Sequence, residues 1–136
     1  MAIPSVGGGS QAGDGNLNEV RMGAMSAPNT ATSTATLTTT QLLGGILLGS
    51  PGSSAASYTT PTGTEIDAAL TNAKIGSTFD LSIQNVDGSG SGVITLVGGT
   101  GVTISGLATV VATAGTAQLF RFRKTGTATW TAYRYA

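Results

Sequence analysis

From residue 78 to the C-terminus, apolar and polar positions alternate with a period of two. In TFDLSIQNV, Phe79, Leu81 and Ile83 fall on one side and Asp80, Ser82 and Gln84 on the other, as in a half-buried strand. The short apolar runs VITLV, VTIS and LATVVAT follow, punctuated by DGSGSG, GGTG and AGT, which predict turns. QLFRFRK sets Phe120 and Phe122 against Arg121 and Arg123. TATWTAYRY sets Trp130, Ala132 and Arg134 against Thr131, Tyr133 and Tyr135. GGTG at 98–101 is expected to be a tight connection between two strands, with glycine supplying a positive φ.

One stretch has a helical period instead. In TGTEIDAALTNAKI, residues 62–75, Ile66, Ala69, Leu70 and Ala73 share a face. Thr62 and Glu65 have the spacing of a capping box, and Lys74 and Gly76 carry C-terminal signals. Upstream, ATLTTTQ at 35–41 reads as a first strand. The glycine pair of LLGGILLG predicts a bulge or a close backbone approach. SPGSSAAS reads as a loop, and Tyr58 to Pro61 as a short extended piece.

Residues 1–34 follow neither period. VGGGSQAGDGN breaks strands, and SAPNTATSTA is polar and interrupted by proline. Leu17, Val20, Met22 and Met25 are the side chains there that can anchor to a partner. The predicted organisation is an extended N-terminal arm, 1–34, and a β-rich domain, 35–136. The domain is expected to be mainly β, a sandwich or barrel of about eight short strands with one short helix.

Composition sharpens this. The 136 residues include 23 threonines and 21 glycines, a pairing of strand former and turn former. Only 9% are charged, and six basic residues balance six acidic ones. No electrostatic footprint points to nucleic acid or to a membrane, so neither is expected as a partner. The N-terminus has no basic and apolar leader pattern, and LLGGILLG is too short to cross a bilayer. Assembly in a cytoplasm is expected.

Chemistry is scarce. Histidine and cysteine are absent, which removes Ser-His triads, thiol catalysis and the commonest metal ligands. Glu65 and Asp67 are two apart on a helix and do not share a face. GGTG leads into a strand and lacks the following Lys-Ser/Thr of a phosphate loop. DGSGSG lacks the alternating carboxylates of a calcium loop. No catalytic residue, metal or cofactor is expected, and the chain is not expected to be an enzyme. The most distinctive cluster is C-terminal, where Phe120, Phe122, Trp130 and Tyr133 interleave with Arg121, Arg123, Lys124 and Arg134. Single-stranded nucleic acid or a glycan would use such a mixture. A hairpin with an aromatic inner face would show it too. Arg, Tyr and Trp are also enriched at protein interfaces, so Phe120, Phe122, Trp130 and Tyr133 are expected in the core or at an interface between protein chains.

TEIDAALTNAKIGSTFDLSIQN, VITLVGGTGVTISG and QLFRFRKTGTATWTAYRY together resemble the β-rich part of tailed-bacteriophage head decoration (cement) proteins and related virion β-proteins. The resemblance covers roughly residues 58–136 and excludes the arm. It implies a homotrimer on the virion's outer capsid surface that binds the major capsid protein and stabilises contacts between capsid subunits, with Leu17, Val20, Met22 and Met25 of the arm at a capsid or protomer interface and Phe120, Phe122, Trp130 and Tyr133 in the core or at the trimer interface. A head-fibre or tail-fibre module recognising a host surface or glycan is the alternative, and it would need exposed aromatic loops.

Overall fold

The computed structural model describes residues 22–87, 92–110 and 115–135. The chain is mainly β, with ten strands in two sheets and two short helices among these residues. The elements are β1 (Asn29–Ala31), β2 (Ala35–Thr36), α1 (Thr39–Leu43), β3 (Ile46–Gly49), β4 (Ala56–Thr59) and α2 (Gly63–Ala69). They continue with β5 (Thr78–Asn85), β6 (Ile94–Val97), β7 (Val102–Ser105), β8 (Thr109–Val110), β9 (Ala117–Gly126) and β10 (Thr129–Arg134). One sheet has the order β1-β3-β5-β9-β10-β7, and the other β2-β4-β6-β8.

The first six strands alternate between the sheets. β1, β3 and β5 pair in parallel in one, and β2, β4 and β6 in parallel in the other. Each coil of chain therefore lays one strand in each sheet before a new coil stacks beside it. The first two coils end in a helix that carries the chain back. Both helices open with a capping box, Thr38 with Gln41 and Thr62 with Glu65. The sheet begins at Asn29, inside the stretch read from sequence as arm.

Several expectations change. Residues 35–41 hold only two strand residues; Thr38 then caps α1, because T-x-x-Q satisfies the free N–H groups of a first turn. The glycine pair 44–45 makes no bulge: Gly44 caps α1 and Gly45, at φ +87°, turns the chain into β3. The helix predicted over 62–75 stops at Ala69, with Leu70 as its cap. GGTG is not a hairpin, since β6 and β7 lie in different sheets. It is a crossover, followed by a strand that pairs in parallel with β10. The DGSGSG turn and the end of LATVVAT fall largely outside the described residues.

GGTG has glycines because it is wedged between backbones. A Cβ on Gly99 would collide with the carbonyl oxygen of Thr60, and one on Gly101 with that of Ala128. Gly63, at the start of α2, is pressed against the same Ala128 carbonyl. The Gly63 N–H donates to Thr100 O at 2.8 Å, and Trp130 N–H donates to Gly101 O at 2.9 Å. Three segments thus meet with no room for side chains.

The core lies between the sheets. Leu47, Leu81, Ile83, Phe120 and Phe122 from one meet Tyr58, Ile94, Leu96 and Val110 from the other, all buried. Ile66 of α2 and Leu42 of α1 complete it. Tyr58 is fully buried, and its hydroxyl sits 3.0 Å from Ala31 O and 2.9 Å from Thr32 O, which share its single proton. Burial raises its phenol pKa, so it stays a donor. Asn85 is also fully buried; its amide donates to Gly92 O at 3.0 Å and its oxygen accepts from Asp87 N at 3.1 Å. Both satisfy backbone where one coil turns into the next.

Candidate interaction surface

The C-terminal cluster divides between the two sides of its sheet. On the inner side, Phe120, Phe122 and Trp130 are buried. Phe79 of β5 stacks on Phe122, with ring centres 4.8 Å apart and planes within 3°, and meets Trp130 at 5.4 Å and 58°. Trp130 thus joins the aromatic core through Phe79. Tyr133 is not a core residue: it is 42% exposed, because alternation along β10 turns it to the other side from Trp130 and Ala132.

Lys124 pairs with Trp130 across β9 and β10, and both reach back to α2. There Asp67 accepts from Lys124 Nζ at 2.5 Å, from the backbone N–H of Ala128 at 2.8 Å and from Trp130 Nε1 at 2.9 Å. The hydrogen bond from Lys124 and that from Ala128 hold its carboxyl below the usual carboxylate range. An ionised carboxylate with three donors fastens the helix to the hairpin. Glu65 is held low in the same way, by the Thr62 backbone and hydroxyl of its capping box. Neither carboxyl is set up to deliver a proton near neutral pH.

The outer side is polar. Asp80, Arg121 and Tyr133 stand side by side on β5, β9 and β10. Arg121 grips Asp80 with two parallel bonds, Nε to Oδ1 at 2.8 Å and Nη2 to Oδ2 at 3.0 Å. Its guanidinium also lies 4.2 Å from the centre of the Tyr135 ring. Asp80 is held low by Arg121, whose own pKa is raised by the pair. Arg123, one row away beside Thr78 and Thr131, is exposed and has no partner among the described residues. At the strand end, Arg134 donates to Gln118 at 2.7 Å.

Of the anchors named in the arm, Met22 and Met25 are exposed, at 90% and 58%. Leu17 and Val20 lie outside the described residues. Residues 22–28 are exposed and lead into β1 and β2, each of which pairs on one side only among the described residues. The Thr30 carbonyl of β1 is covered by the Gln41 amide at 2.9 Å, so β2 is the more open of the two edges. Beside β2 runs a groove of about 630 Å³ whose lining mixes Leu37, Pro61, Ala68 and Ala69 with Thr36, Thr38, Thr39 and Glu65.

Sequence reasoning missed Asp67 as the central fastening and Tyr58 and Asn85 as buried pins. The α1 cap carried a readable signal, since TTTQLL has the same spacing as TGTEID. Among the described residues, no group of three Asp or Glu side chains converges to hold a metal ion, and no helix is long and apolar enough to cross a membrane. No family model, no curated protein and no solved structure matches the chain.

Proposed function

We propose that this chain is a structural virion protein, a decoration or cement protein that sits as a homotrimer on the outer capsid surface and stabilises contacts between capsid subunits. The observation that carries the reading is the open first coil. Among the described residues β2 pairs on one side only, beside a groove with Leu37, Pro61, Ala68 and Ala69 in its lining, and the exposed methionines of residues 22–28 lead into that same end. Unpaired edges and clustered apolar side chains are most stable when covered by protein. Support also comes from the charged groups. Asp67 binds Lys124 and Asp80 binds Arg121, so on the outer face of threonine, serine and tyrosine Arg123 is the charged side chain left without a partner among the described residues. Many such contacts on one lattice add by avidity. In this reading the chain performs no catalysis.

The test is direct. Sedimentation equilibrium of the purified protein should give three times the chain mass. Gradient-purified particles from cells that make the protein should carry it in fixed ratio to the major capsid protein. A stable monomer at micromolar concentration, together with particles that lack the chain, would overturn the proposal.

A further inference from the structure

A second hollow, of about 330 Å³, opens beside the C-terminal end of α2 and is lined in part by Leu70, Thr71, Asn72, Thr78, Phe79 and Trp130. Its volume is at the lower end of the range for small-ligand sites. Phe79 is half-buried and backed by the Phe122 ring at 4.8 Å, so it forms a fixed aromatic wall. Around the rim, Thr71, Asn72 and Thr78 are exposed, and their side chains make no hydrogen bond to other described residues. Two hydroxyls and an amide can therefore both donate and accept. Among the described residues no charged side chain lines the hollow.

We propose that this hollow binds a neutral pyranose ring, with the ring's C–H face on Phe79 and its hydroxyls on Asn72, Thr71 and Thr78. The C–H face of a sugar is weakly positive and the face of an aromatic ring is negative, so the two attract. The rim is too polar for a wholly apolar guest, which would leave the amide and hydroxyls unpaired. It offers an anionic guest no counter-charge. The proposal goes beyond the capsid reading and does not depend on it.

Trp130 is the chain's one tryptophan and touches the hollow, so its emission reports occupancy. The full-length protein is titrated with methyl glucoside, methyl galactoside, methyl mannoside, a neutral tetrasaccharide, glucuronate and cyclohexanol. At least one neutral sugar should change the Trp130 emission saturably, and glucuronate and cyclohexanol should not. Tighter binding of the tetrasaccharide would identify the natural ligand as a glycan chain end, and equal binding a free sugar. Asn72→Leu and Thr78→Val, both at exposed positions, should each weaken binding about tenfold, the loss of one hydrogen bond, with the melting temperature unchanged. The proposal is overturned if no neutral sugar saturates, if cyclohexanol binds as well, or if both variants bind like the parent chain.

Discussion

Two regions of this molecule are built on opposite principles. The closing hairpin, β9 and β10, pairs neighbours in sequence, with a two-residue turn at 127–128 and an unbroken ladder from Lys124 opposite Trp130 to Phe120 opposite Arg134. The coils before it pair distant residues. Asn29 lies beside Leu47, 18 positions on, and Leu47 lies beside Ile83, 36 positions on. The hairpin needs only its turn and its inner aromatic row to find its register. The coils need a crossover of fixed geometry each time, and the fold supplies it with capped helices and buried polar pins. Strand pattern alone specifies which face a residue takes; it does not specify which strand lies beside it.

The largest effect should come from the aromatic row of the hairpin. Trp130 is 1% exposed and also donates to Asp67, so Trp130→Ala leaves both a cavity and a carboxylate short of a donor. We expect a loss of roughly 3–5 kcal/mol in urea unfolding. A loss below about 1 kcal/mol would mean that the coils, and not the hairpin, dominate stability.

Next in size is the fastening between the two regions. Asp67→Ala removes one acceptor from three donors, two of them the side chains of buried Trp130 and of largely buried Lys124. A cost of about 2–4 kcal/mol is expected. The same residue gives a pH signature. Lys124 and Arg121 hold Asp67 and Asp80 below the usual carboxylate range. Their stabilisation is fully present above the unfolded value, about pH 4, and is lost as pH falls through the lower folded values. Unfolding free energy should therefore fall below about pH 4, and less steeply in Asp67→Ala. Equal slopes in the two proteins would show that Asp67 titrates alike folded and unfolded.

How much was legible follows the same division. Phe79, Leu81, Ile83, Phe120, Phe122 and Trp130 were all placed on inner faces by alternation, since period two reports sidedness directly. The α2 capping box was legible as well, because its spacing is local. The parallel order was not, because nothing in ILLG or ASYT names a partner 36 or 38 residues away. Alternation put Tyr133 opposite Trp130 but could not separate core from surface until the sheet had a second layer on one side only. Asp67 was readable as a helix N-terminal acid; that its carboxylate meets Trp130 depends on where β10 lies, 63 residues on.

A smaller effect tests the pins of the coils. Tyr58→Phe keeps the ring in the core but leaves the carbonyls of Ala31 and Thr32 without its proton. The loss should be about 1–2 kcal/mol. In hydrogen exchange it should open β1 and β2 before the hairpin. Uniform acceleration across the molecule would contradict the idea that the coils hold themselves separately.

The smallest effect compares the two helix starts. Thr38 and Thr62 each accept from the third residue of their helix, at 3.1 Å and 3.2 Å, and in each case that residue's side chain accepts back from the cap N–H. Substitution of either by alanine removes one cap, worth about 1 kcal/mol. The two sites differ in what else holds the helix. α2 starts at Gly63, inside the GGTG junction, and is fastened through Asp67 to the hairpin, whereas α1 is held by its cap, by buried Leu42, and by hydrogen bonds between Asn29 and the Thr40 carbonyl and between Gln41 and the Thr30 carbonyl. Thr38→Ala should therefore free the α1 amides to exchange while the rest of the molecule stays closed. Thr62→Ala should lower global stability by a similar amount without a separate local opening, because α2 cannot leave its place while Asp67 holds. Finding local opening at α2 and not at α1 would reverse the assignment of which helix belongs to the coils and which to the hairpin.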